Sequence, residues 1–448
     1  MELKEFETVI GNPDYKDQYK CMDKDSFADL IEFIHAFDSD EAESDVLDFI
    51  KIDYKRNLGE TVTFKNYVGL IQMKNNYQIQ VLPKIEFVNG EKDETKQVFM
   101  KMLRSMKDFP SKVFTNANLK IDRMNLYEVF INMYLQEVRK LVKHGIKSSY
   151  ARQEDNLTVY KGKLMVNEHI KANLAHKERF YVGFDEYQVN RPGNRLIKST
   201  LLKLQNISSS AENGKEIRQL LTAFELVEPS KNYDKDFAKV VIDRNTKDYE
   251  MLMKWSKVFL KDKSFTTFSG TDSARALLFP MEKVFESYVA RNMKKIFSRV
   301  NWEVSAQDKG HYLFNTLNGE KYRKFALRPD LVVTRDDGSV VILDTKWKSL
   351  VNDKGANYGI SQADMYQMYA YSKKYGTPEI WLLYPVNAAM KDSGRITFDS
   401  GDGATVSLFF VDVANIEKSM EELLRILSPN ITDENFTEDY IDGVNAVG

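Results

Sequence analysis

Apolar and polar positions along the chain change period several times. Near the amino terminus, Phe64 to Met73 and Tyr77 to Ile85 are short β-branched runs separated by Lys74-Asn75-Asn76, which predicts a hairpin. Pro83 has no N–H for a ladder, so the pairing should end there or the strand should lie at an edge. Ahead of it the pattern predicts strands and a helix over Asp25 to Phe37, followed by a solvated acidic run from Asp38 to Glu43. The period then becomes helical over Glu94 to Ser105 and Asn125 to His144. In the second segment Leu126, Val129, Phe130, Met133, Tyr134, Val138, Leu141 and Val142 form a wide apolar stripe, closed by Gly145. Tyr150 to Leu157 reads as a connection. From Lys161 a largely helical region is predicted, with helices over Asn167 to Ala175, Arg195 to Ile207, Lys215 to Phe224 and Asp236 to Leu260, and a break at Asn190 to Gly193. From residue 266 helices and strands alternate. Glu379 to Pro385 and Thr405 to Val411 are strand candidates and Ile416 to Leu427 a closing helix, with an acidic tail from Ser428. The expected fold class is a multidomain α/β (α+β) protein: a β-rich part over 1–155, a helical connector over 156–265 and a mixed α/β part over 266–448.

One stretch carries chemistry. Leu327 to Val333 and Val340 to Trp347 both read as strands, and Asp336-Asp337-Gly338 between them is turn chemistry. If Gly338 supplies the positive φ of a bulged turn, Arg335 pairs with Ser339 and Asp330 faces Asp344. Opposed residues share a sheet face, as do residues two apart, so Asp330, Asp344 and Lys346 project to one side. Two opposed carboxylates on a semi-buried sheet repel unless a cation offsets them. Hard oxygen ligands suit Mg²⁺, which takes one or two carboxylates and leaves its other positions to water and substrate phosphate. Lys346 would orient or deprotonate a water for attack on that phosphate. The competing reading is a solvated hairpin end with an exposed Asp344–Lys346 pair.

Composition narrows the alternatives. At 448 residues and 52.0 kDa the chain exceeds a typical single core, and a net charge of −2 with pI ≈ 6.3 means that any nucleic-acid contact must be local or supplied by a partner. Cys21 is the only cysteine, which excludes an intrachain disulfide framework and fits a cytoplasmic protein. No apolar run reaches the length of a membrane span, and the start Met1-Glu2-Leu3-Lys4-Glu5 is not a signal peptide. The five histidines lack the helical i, i+4 metal pattern, and no phosphate-binding glycine loop is present, so nucleotide hydrolysis by this chain itself is not expected. Cations gather in Arg291, Lys294, Lys295 and Arg299 and in Lys321, Arg323, Lys324 and Arg328. They are candidates for phosphate contacts or plain surface.

The hairpin resembles the P-D…(D/E)-x-K motif of the restriction-endonuclease-like nucleases, with Asp330, Asp344 and Lys346 on its three positions. That resemblance implies a metal-supporting glutamate on the preceding helix, Glu286 with Glu282 as competitor, and a Q-x-x-x-Y supporting helix, matched by Gln367 and Tyr371. It further implies Mg²⁺ held by Asp330 and Asp344, supported by Glu286, with the Thr345 carbonyl as a further ligand. More of the chain is similar to McrC, the nuclease subunit of McrBC modification-dependent restriction systems. The similarity rests on Tyr67 to Ile71, Ile79 to Ile85, Gly145 to Tyr150, Gly162-Lys163-Leu164, Phe184-Asp185-Glu186, Asn194 to Lys198 and Asp364 to Tyr371. It implies a McrB-like AAA+ GTPase or ATPase hexamer as partner. The partner would recognise modified, methylated double-stranded DNA, while this subunit docks, stimulates hydrolysis and cuts, with the hairpin around Lys74 to Asn76 a candidate to enter or face the hexamer pore. The rivals are a stand-alone repair or recombination nuclease of the same fold and a non-catalytic regulator of a AAA+ motor.

Overall fold

The computed structural model describes residues 1–39, 50–73, 77–86, 94–106, 125–261, 274–315, 323–391 and 393–428. The chain forms two compact units, Met1–Ser111 with Leu278–Gly448, and Lys112–Leu277. Helices and several sheets make it a mixed α/β protein. Among the described residues no helix is long and apolar enough to cross a membrane.

In the first unit the predicted amino-terminal hairpin pairs Tyr67–Met73 with Gln78–Leu82, Ile71 opposite Ile79. Its tip at Lys74 to Asn76 lies outside the described residues, as do most of the acidic run and the acidic tail. Pairing stops at Leu82, immediately before Pro83. The short strand Glu2–Lys4 runs parallel to Gln78–Leu82, and Glu5 continues that line by donating from its backbone N–H to Leu82 O at 2.9 Å.

The carboxy-terminal part is built on a six-stranded sheet in the order Glu303–Ala306, Leu331–Thr334, Val340–Thr345, Glu379–Pro385, Thr405–Val411, Thr397–Asp399. The register predicted for the central hairpin is observed: Leu331 faces Leu343, Thr334 faces Val340, and Arg335 N donates to Ser339 O. Gly338 has φ +80°, a conformation that a side chain would strain. The Leu331 strand begins later than the apolar run suggests, because Leu327 to Asp330 is irregular and Pro329 has no N–H to pair. Strands Val340–Thr345 and Glu379–Pro385 run parallel, and the Gln362–Tyr375 helix lies in the crossover between them. One sheet face, with Ile342, Ile380, Leu382, Val406 and Leu408, packs with Met368 and Tyr371 of that helix. Asp344 and Lys346 follow Ile342 at strand spacing, so they project to the helix side, where the sheet's apolar covering ends.

The second unit corrects two expectations. Tyr150 to Leu157 is no connection. Ser149–Leu157 is a strand paired along its length with Phe180–Gln188, and Lys163–Leu164 adds a third. Its side chains at 149–150 and 152–157 are exposed or half-buried, so it carries no apolar alternation from which a strand could be read. The helix expected over Asp236 to Leu260 is broken into Tyr233–Lys239 and Asp248–Lys261. Between them Asp243 accepts from the N–H groups of Asn245 and Thr246, a side-chain turn that competes with the helix. The Leu126–His144 helix forms as predicted and buries Phe130 and Tyr134 among Trp255 and Phe259.

The motifs of this unit have structural duties. Gly162 has φ +76°, and a Cβ there would lie 2.4 Å from Gly183 O. Buried Asn194 donates to Lys147 O and Val189 O and accepts from Tyr249 Oη at 2.6 Å. Arg195 holds Asp236 with two hydrogen bonds, 3.1 and 2.7 Å.

Candidate functional site

Asp330, Asp344 and Lys346 meet at the carboxyl end of the parallel strands. Asp344 is 1% exposed. Lys346 Nζ lies 2.6 Å from Asp344 Oδ2 and 4.0 Å from Asp364 Oδ1. Asp330 Oδ2 accepts from the Thr345 backbone N–H at 2.7 Å and from Thr345 Oγ1 at 2.6 Å, so it is fixed across the strand pair. The competing picture of a solvated hairpin end does not describe this pair, because Asp344 is buried.

The surrounding charge is unbalanced. Burial, and then the Asp330 charge, push the Asp344 carboxyl up to about 7, against the pull of Lys346. Burial and the same Asp330 charge raise Glu286 to about 7. Burial disfavours the Lys346 ammonium, yet Asp344, Asp330 and Asp364 together hold it above its ordinary value. Among the described residues Lys346 faces four carboxylates, Asp330, Asp344, Asp364 and Glu286, the last of which also feels Lys283. The buried Tyr384 hydroxyl has no hydrogen-bond partner among the described residues, and the contact given for Asp344 Oδ2 is the Lys346 ammonium at 2.6 Å.

The supporting residues are placed as follows. Glu286, on the Met281–Phe297 helix, accepts from Gln307 Nε2 at 2.9 Å, and Gln307 N–H donates to Asp330 O. Glu282 lies one turn earlier on the same helix and is exposed. Gln367 Nε2 donates to the buried Tyr371 hydroxyl at 2.8 Å, one turn apart on the Gln362–Tyr375 helix. Burial raises the Tyr371 hydroxyl pKa first, with Asp344 and Asp330 adding to it. Four residues here had no assigned role in the sequence. Asp364 is visible only as the residue one turn before Gln367, and Tyr384 only as a buried-strand residue. Gln307 has no sequence signal. Glu5 has none either: its buried carboxylate accepts from Trp347 Nε1 at 3.0 Å and from Lys84 N at 3.1 Å. Trp347 in turn packs on Phe285, ring centroids 5.3 Å apart.

A divalent cation fits this donor set in one respect and not in another. The carboxylate excess around buried Asp344 is what a hard cation would relieve. Yet among the described residues no three His, Cys, Asp or Glu side chains are arranged to hold a metal by themselves. The fit is therefore to an ion on one or two carboxylates, with water and substrate completing its shell.

The helical cation cluster is largely engaged within the fold. Lys295 pairs with Glu417 at 2.7 Å, Arg299 with Glu421 at 3.1 Å, and Arg291 donates to Arg104 O. Arg323, Lys324 and Arg328 are exposed; Lys321 lies outside the described residues.

A family model for the McrBC 5-methylcytosine restriction system component matches residues 62–385. Among solved structures, this chain is similar to one in the refined half-complex from a tetradecameric assembly of Thermococcus gammatolerans McrB AAA+ hexamers with bound McrC. The identity is 18% and the TM-score 0.68, over 95% of this chain and 99% of that one. A chain of the Thermococcus gammatolerans McrBC complex seen by cryo-electron microscopy aligns at 20% identity and TM-score 0.48, over 66% of this chain and 88% of that one. No curated protein matches. At such identities the structural likeness speaks for the fold, whereas the family match covers most of the sequence: the chain belongs to the McrBC 5-methylcytosine restriction system component family.

Proposed function

We propose that this chain is the DNA-cutting subunit of a McrBC-like restriction complex, a metal-dependent endonuclease of the P-D…(D/E)-x-K kind. The observation that carries the reading is the buried Asp344, opposed to Asp330 and two residues from Lys346, in a cluster with more carboxylate than it can neutralise. Asp330 and Asp344 would hold Mg²⁺, with the Thr345 carbonyl and Glu286 in support. Bound there, the ion supplies Lewis-acid polarisation of a phosphodiester and a more acidic water. Thr345 keeps Asp330 in place through two hydrogen bonds. Lys346, held as an ammonium by its acidic neighbours, serves better to orient water and to stabilise charge developing on the phosphate than to remove a proton. Gln367 and Tyr371 support the wall of the site.

The partner proposed is a McrB-like AAA+ hexamer, as in the solved assembly of McrB hexamers with bound McrC. It would supply recognition of methylated double-stranded DNA and nucleotide hydrolysis, which this chain's sequence does not provide. The test is cleavage of methylated plasmid with Mg²⁺ by wild type and Asp344→Ala, each with and without the AAA+ protein and nucleotide. Cutting by wild type with partner and nucleotide, and not by the variant, is expected. Equal cutting by the variant overturns the site; stimulation of hydrolysis by both without any cutting points to a non-catalytic regulator.

A further inference from the structure

Between Gln307 and Arg328 the chain leaves the edge of the sheet as an antiparallel hairpin, Tyr312–Asn315 with Arg323–Ala326, with Tyr312 opposite Ala326 and Phe314 opposite Lys324. Its base is tied to the candidate site. Gln307 binds Asp330 O through its N–H and Glu286 through its side chain, and Leu327 N–H closes onto His311 O at 2.9 Å. Leu313 packs inward against the apolar core.

The outer side is built differently. Phe314 is 61% exposed and Phe325 71%, their rings edge to face with centroids 6.0 Å apart. Opposed residues share a face, so an unstrained Phe325 would point inward with Leu313. Phe325 instead has φ +58°, the left-handed region that a bulky side chain adopts only when its surroundings hold it there. The strained backbone displays a ring that packs on Phe314 and leaves most of its surface to solvent. Around it, the Arg323 guanidinium lies over the Tyr312 ring at 5.6 Å and Lys324 faces Phe314; the described strands carry these two cations and no carboxylate.

We propose that this hairpin grips duplex DNA beside the cleavage site, Arg323 and Lys324 on phosphates and the Phe314–Phe325 pair against sugars and bases. The inference rests on the nuclease reading above. Charge complementarity favours DNA over a protein partner, since the described strands offer two cations and no carboxylate to a polyanion.

The experiment is anisotropy of a labelled duplex titrated with the full-length chain over a salt series, for wild type, R323Q/K324Q and F314S/F325G. Losing both cations should lower the slope of log affinity against log salt by about 2 and weaken binding roughly tenfold or more at low salt. F314S/F325G should weaken binding roughly tenfold with the slope unchanged. Its thermal stability should not fall, because glycine accepts the left-handed conformation. Wild-type affinity in both variants, or no duplex binding by the wild-type chain, overturns the inference. So does loss of self-association in the variants with duplex binding intact, which would make the patch a contact between copies. If the assembled wild-type complex binds DNA without cutting, the nuclease reading falls and the hairpin contact stands. If it cuts while both variants bind and cut as wild type does, the contact falls alone.

Discussion

Two buried carboxylates, one in each unit, meet opposite treatment. Glu128 accepts from Ser208 Oγ at 2.8 Å, Ser209 N at 2.6 Å and Asn213 Nδ2 at 2.7 Å, so its burial is matched by donors from a neighbouring helix start. Asp344 is as buried, yet its neighbours are one lysine and the charge of a second carboxylate, Asp330. A fold that needs a buried acid only for shape surrounds it with donors, as at Glu128. A buried carboxylate set in a like-charged cluster is what the proposed function calls for, since a cation arriving from outside would offset the repulsion.

The largest expected effect tests that contrast directly. Asp344→Asn should reduce DNA cleavage by the assembled complex on the order of a thousandfold. At pH 8 the same change should raise the melting temperature of the metal-free chain by about 2–4 °C, because it removes a repelling charge. A variant that is both inactive and less stable would speak for a structural Asp344. Glu128→Ala should do the reverse. Its stranded donors should destabilise the chain by about 3 kcal/mol in urea unfolding, with cleavage per folded molecule unchanged. Gln367→Ala should fall between, with cleavage down roughly tenfold and little change in stability, since it loses one hydrogen bond to Tyr371.

The smallest effect concerns Glu5, which burial, opposed by Lys84 and Trp347, pushes up to about 7. An unfolded glutamate titrates at roughly 4.3. Between those values the folded chain holds a proton that the unfolded chain releases, so Glu5's contribution to stability is fully present below that range and is lost as pH rises to 7. The stability of wild type relative to Glu5→Gln should therefore decline from pH 5 to pH 7, by up to about 1 kcal/mol per pH unit. A difference independent of pH would mean that Glu5 is not held protonated.

What the sequence revealed of the site is what short-range geometry determines. A three-residue turn with Gly338 sets the hairpin register from Thr334–Val340 to Leu331–Leu343, and Asp330 and Asp344 are the next residues on either strand. Helical spacing alone brings Gln367 to Tyr371. Glu5 lies 342 residues from Trp347, and no local pattern announces such a pair. Gln307 and Tyr384 also join the site only through tertiary folding. In the other unit the strand Ser149–Leu157 escaped notice because neither of its faces is buried enough to leave an alternating pattern. The break after Lys239 escaped because Asp243 and Thr246, which make the turn, sit within an apolar helical period.

On the proposed function the crowded carboxylates Asp330 and Asp344 bind a cation, and thermal unfolding of the isolated full-length chain in a Mg²⁺ titration tests this without requiring activity. Wild type should gain stability as Mg²⁺ rises, as any ligand of the folded state requires, and Asp330→Asn and Asp344→Asn should each lose that gain. An equal Mg²⁺-dependent rise in all three proteins, or none in wild type, would contradict it.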